Sequence, residues 1–195
     1  MLRRDAPKFW SRIEEWQHSR DPININFCDP MIFSTFTEWL YTNSFTDPGQ
    51  YTTDQLILSY CLGHELECHG LMNLVMDVIR DRLNKTQNYL TSEQAISVFT
   101  YLPPDKPSPL KKFCVLMINL AVCQNEALLA EYRQFHEECV ECQFMYAQLE
   151  EDIANEVWPE DCSLDPRVEH PVNEHRFHIH IHDEGAQRNC YHPNA

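Results

Sequence analysis

The residues best suited to chemistry in this sequence are its histidines and cysteines, and two groups stand out by spacing. In "FHIHIH", 177 to 182, His178, His180 and His182 alternate with apolar residues. On an extended strand alternate residues share a face, so all three imidazoles would point one way. Neutral imidazoles so placed could bind zinc or copper, with Cys190 and His192 as further ligands. The plainer reading is a strand that buries Phe177, Ile179 and Ile181 and turns the histidines to water. The second group, His136, Cys139 and Cys142, lies at i, i+3, i+6. On a helix these residues are spread along nearly two turns, awkward for one tetrahedral ion, and ordinary burial accounts for them better. With four glycines in all, the sequence holds neither G-x-x-x-x-G-K-[ST] nor G-x-G-x-x-G, and it has no G-x-S-x-G elbow. A reactive thiol needs an electropositive setting, which an acidic chain offers sparingly. The expectation is a protein with no catalytic residues, no cofactor and no resident metal.

The charge balance narrows the partners. A formal net charge of −15 argues against a nucleic-acid or anionic-membrane partner, both of which need clustered Lys and Arg. The longest apolar run, "FCVLMINLAVC", 113 to 123, is interrupted by Asn119 and is too short to span a bilayer. "MLRRDAPKFW" lacks the apolar stretch of a secretory signal. Nine cysteines are an odd number, and Cys61, Cys114 and Cys123 fall on apolar faces as small hydrophobes do. A reducing compartment, cytoplasm or nucleus, is expected.

Local patterns then predict the elements. "APKFWSRIEEWQ", 6 to 17, reads as a helix with Phe9, Ile13 and Trp16 on one face. "PININF", 22 to 27, has the period of a half-buried strand, with Ile23, Ile25 and Phe27 on one side. Asp29 caps and Pro30 opens a helix crowded with Phe33, Phe36, Trp39, Leu40 and Tyr41, followed by Phe45; this aromatic stripe is read as core. After the turn "TDPG", helices are expected over 54–66 and 70–83. In the second of these, Leu71, Leu74, Val75, Val78, Ile79 and Arg82 keep helical spacing while Met72, Met76 and Leu83 widen the apolar face, which predicts a central position. A helix within 87–102 carries the capping box "TSEQ", 91 to 94, and Ser108-Pro109 starts another. A long acidic helix is expected over about 126–158, and a loosely ordered tail from Pro159.

Taken together, "PININF", "DPMIFSTFTEWLYTNSF" and "LSYCLGHELECHGLMNLVMDVIRDRL" resemble a BTB/POZ domain of the fungal type. The positions that carry the resemblance are Asp29, Pro30, Phe33, Trp39, Leu40, Tyr41 and Thr42, then Tyr60, Leu62 and Leu66, then Leu71 and Asn73. Gly63 stands where the family usually has Ala. "PSPLKKF", 107 to 113, and the "FHIHIH" ending resemble the C-terminal extension of such proteins. The resemblance starts at "APKF", so it implies a domain without its N-terminal hairpin and first helix. The strand at 22–27 would then lack its usual neighbours, and an apolar surface would lie open.

The implied fold class is mainly α, a partial α+β BTB/POZ fold. It would have a helical core with one or two residual strands over 1–86, a helical C-terminal extension over 87–158 and a His-rich tail over 159–195. The implied function is non-enzymatic binding of another protein chain, either a second copy or another BTB protein. The expected contact residues are Phe9, Ile13, Glu15, Trp16, Ile23, Ile25 and Phe27. "RIEEW", 12 to 16, also fits the hydrophobic-x-Glu motif of BTB proteins that recruit cullin-class ubiquitin ligases, through Ile13 and Glu15. A cullin scaffold is therefore the alternative partner, and metal binding by the histidine tail the alternative function.

Overall fold

The computed structural model describes residues 6–20, 25, 30–103, 108–125, 132, 147, 165–168 and 177. Among the described residues the regular structure is helical: α1 (Pro7–Ser19), α2 (Pro30–Thr42), α3 (Thr53–Glu65), α4 (His69–Thr86), α5 (Ser92–Tyr101) and α6 (Pro109–Gln124), with a 3-10 turn at Pro48–Gln50. The predicted starts hold because they are local chemistry. The Thr91 hydroxyl accepts from the Gln94 amide while the Gln94 side chain accepts from the Thr91 amide, so two orphan donors of α5 are satisfied. Ser108 caps α6 through the Lys111 amide at 3.2 Å, with Pro109 in the first turn. Thr52 and Gln55 form an equivalent box at α3, which the sequence reading passed over.

Helix ends were harder to read. Arg20, Asn43, Glu67 and Gln87 all have positive φ, between 52° and 63°, and each follows a last helical turn. Glycine is the usual occupant of such left-handed stops. Here non-glycine residues do the work, and α1 and α4 each run a few residues beyond the expected ends, to Ser19 and Thr86.

Helix α3 is the hub, packing on α2, α4 and α5, while α5 in turn carries α6. Its Leu56, Ile57, Tyr60, Cys61, Leu62 and Gly63 are buried around most of its girth. The central place expected for the 70–83 helix is thus shared: α4 buries Leu71, Met72, Val75, Met76, Ile79 and Leu83 but exposes Asp81 and Lys85. Close approach needs small residues. A Cβ on Gly63 would stand 3.0 Å from Met72 Cγ, and one on Gly70 would stand 3.1 Å from Trp39 Cζ2. Trp39, Tyr60 and Leu71 are all buried, so α2, α3 and α4 share one core.

The aromatic stripe needs one correction. The buried positions of α2 are Ile32, Thr35, Phe36, Trp39 and Leu40, an i, i+3, i+4, i+7, i+8 face, and Phe45 beyond the helix is buried too. Phe33 is half-buried. Tyr41 is 81% exposed, because its position falls on the far side from Phe36 and Trp39. Thr35 is tolerated in the core because its hydroxyl donates to the Met31 carbonyl at 3.1 Å.

Of the strand expected at 22–27, Ile25 alone is described; it is half-buried against the core and belongs to no strand. Of the acidic helix expected over 126–158, Tyr132 and Ala147 are described, both helical, and the buried Tyr132 hydroxyl donates to the Leu90 carbonyl. From the tail, Asp165 to Val168 and Phe177 are described. Pro166, Arg167 and Phe177 are buried, where a loose tail was expected.

Candidate interaction surface

Helix α1 lies on the outside of the core and buries none of its own residues completely, although Ala6 just before it is fully covered. Its contact is aromatic. The Phe9 ring meets the buried Phe36 ring edge-on, with centroids 4.9 Å apart and planes at 75°. Trp10 lies 5.8 Å from Phe9, and Phe33 lies 5.9 Å from Phe36. Phe9, Trp10 and Phe33 are each half-buried, so Phe9 and Phe33 flank Phe36, and Trp10 extends the cluster through Phe9, with each residue partly open to solvent. Ile13, one turn beyond Phe9, is also half-buried. Trp16 is 38% exposed, with the Arg20 guanidinium 4.9 Å from its ring centroid. Glu15 is exposed. Ile23 and Phe27 lie outside the described residues.

Charges fix the helix in place. Lys8 reaches Glu67 and Arg12 reaches Glu65, each at 2.9 Å, which ties α1 to the end of α3 and the turn after it. The first pair is about half exposed and contributes little. The Glu65 side chain is only 15% exposed, and its second oxygen, Oε2, is buried with no hydrogen bond among the described residues. Arg12 is therefore the group that makes this carboxylate tolerable where it stands.

A second assembly was not anticipated. Arg80, 4% exposed in the middle of α4, donates to the Pro166 carbonyl at 3.2 Å and the Val168 carbonyl at 3.4 Å. Its guanidinium also sits 5.5 Å from the centre of the Phe177 ring, and that ring packs edge-on against Phe113 of α6 at 5.3 Å. Arg167 forks onto Asp165, with Nε 2.8 Å from Oδ1 and Nη2 2.6 Å from Oδ2, and donates to the Asn88 carbonyl at 3.1 Å. The carboxylate of Asp165 holds the Arg167 guanidinium above its ordinary pKa. The sequence carries one signal for this, the turn-forming Asp-Pro pair at 165–166.

The chemistry-bearing residues are less connected. His136, Cys139, Cys142, His178, His180, His182, Cys190 and His192 all lie outside the described residues. Among the described residues no three His, Cys, Asp or Glu side chains come together in a way that could hold a metal ion. Cys61, Cys68 and Cys114 are buried thiols. Burial pushes Cys61 up to about 12 and Cys114 upward as well, so these two pack as small hydrophobes and form no thiolate near neutrality. No described helix is long and apolar enough to cross a membrane. Comparison with protein-family models, with curated proteins and with solved structures found no match.

Proposed function

We propose that this chain is a non-enzymatic protein-interaction module of the BTB/POZ kind, which binds another protein chain through the apolar face at α1. The observation that carries the reading is the half-covered aromatic set of Phe9 and Phe33 at Phe36 with Trp10 beside Phe9, accompanied by the half-buried Ile13 and the exposed Trp16. Partly exposed aromatic rings held rigidly by a buried one are the material of binding hot spots: large contact area with little side-chain entropy left to lose. A second copy or another chain of the same kind is the proposed partner. Sedimentation against concentration, with a hydrophobic dye as a second probe, tests this. Self-association or dye binding is expected, and both should weaken in an Ile13→Asp, Trp16→Ala chain of unchanged helicity. A monomer at every concentration that binds no dye overturns the proposal.

A second reading is adaptor for a cullin-class ubiquitin ligase. It is favoured by Glu15 standing exposed two residues after the half-buried Ile13, so that both residues of the hydrophobic-x-Glu motif reach the surface. In that case Glu15→Lys abolishes capture of a cullin scaffold and leaves self-association intact.

A further inference from the structure

We propose that the segment bearing Asp165–Val168 and Phe177 is an exchangeable ligand of the chain's own core. The surface formed by Arg80, Asn88, Tyr89 and Phe113 is then a peptide-binding site that the same segment from a second copy can fill. The proposal concerns a different face from α1 and does not rest on the function proposed above.

Three features of the contact support it. The segment is shaped before it docks. Asp165 accepts from the Arg167 amide through Oδ1 at 2.9 Å, and its carbonyl accepts from the Val168 amide at 3.1 Å, so residues 165–168 close a turn upon themselves with proline second. A ligand already in its bound form loses little entropy on binding.

Each side also keeps a counterion of its own. Arg167 is paired with Asp165 two residues earlier, and the pair leaves together. Arg80 is 3.9 Å from Asp77 on its own helix. Separation of the segment from the core therefore splits neither of these two ion pairs, and breaking a buried pair is the costly event.

Recognition, finally, is by kinds of contact that a groove offers to a peptide. Arg80 reads the backbone carbonyls of Pro166 and Val168, the Asn88 carbonyl accepts from Arg167, and the Arg167 guanidinium lies 5.1 Å from the Tyr89 ring centre. Phe177 then enters between Arg80 and Phe113 as an aromatic anchor. The partner chemistry is thus a peptide with an Asp-Pro-Arg turn and an aromatic residue further on.

The test uses the full chain with Arg167→Ala and Phe177→Ala together, which frees the site, and a fluorescent peptide of residues 163–179 read by anisotropy. The doubly substituted chain is expected to bind the peptide at least tenfold more tightly than the wild-type chain, whose site is filled. Adding Arg80→Ala should remove that binding, and a peptide with Arg167→Ala should fail to bind. A folded double variant that ignores the peptide, or that binds an unrelated acidic peptide equally well, overturns the proposal. Hydrogen exchange on the wild-type chain decides the matter independently of that variant. The Arg167 and Val168 amides should exchange at least tenfold faster than those of α3; exchange only by global unfolding would show a permanent part of the core.

Discussion

Helix α1 and the turn at 165–168 both lie against the helical core, and they are held differently. Across the α1 boundary the ion pairs are shared between elements: the exposed Lys8 meets Glu67, and the largely covered Glu65 is paired with Arg12. Across the other boundary, among the described residues, each arginine has a carboxylate on its own side, Asp165 for Arg167 and Asp77 for Arg80, and the contacts that cross include carbonyl hydrogen bonds and the rings of Phe177 and Tyr89. The lesson is that burial alone does not say whether a segment is permanent. Arg167 is almost completely covered and Arg12 is not, yet it is the Arg12 pair that joins two elements, while Arg167 and Asp165 lie two residues apart in one turn.

The largest expected effect tests the support beneath α1. Phe36→Ala empties a site touched by Phe9, Phe33 and Trp39 and should cost about 3–5 kcal/mol in urea unfolding. Phe177→Ala removes a ring just as buried, but its cost is limited by the free energy of docking one segment, so about 2 kcal/mol or less is expected. Equal costs for the two would erase the distinction between core and detachable segment.

Arg12→Met should destabilise by about 1–2 kcal/mol, because the Glu65 carboxylate loses its counterion in a largely covered position. Adding Glu65→Gln should recover most of that loss. If the two substitutions simply add, the charges are not coupled and α1 is held by its rings alone.

The smallest effect is with pH. His69, at the head of α4, has its pKa lowered by burial, against an opposing pull from Glu67. The unfolded chain therefore binds a proton that the folded one resists, and stability falls as pH drops below the ordinary histidine value. Glu38 has its pKa lowered by hydrogen bonding to Thr46, so its contribution is present above the ordinary carboxylate value and is lost as pH falls through the lower folded one. Melting temperature should decline from about pH 7 downward in two stages, and His69→Gln should flatten the first.

Much of the helical order was readable because it is written in contiguous residues. Thr91 with Gln94 and Ser108 announce helix starts through bonds that span a few positions, and Pro7 and Pro109 do so through a backbone already set for the first turn. The face of α1 that meets the core was readable only in part: Phe9 packs there as its spacing with Ile13 and Trp16 predicts, but so does Trp10, and Trp16 is exposed. Arg80 was not. Periodicity favoured Arg82, which is half-buried and donates to the Pro48 carbonyl at 2.9 Å. The burial of Arg80 is made acceptable by a carbonyl 86 residues further along the chain, and no window along the sequence contains both.

What the sequence determined by itself is therefore a set of amphipathic helices with their starts, an acidic surface and a surplus of aromatic rings, all of which follow from residue type and short-range spacing. The tertiary structure alone decided which rings stay half-open around Phe36, that α3 is the hub, and that a stretch resembling a tail closes over Arg80. Those outcomes depend on which distant groups satisfy a buried charge or fill the gap beside a ring, and such pairings are set by packing in three dimensions.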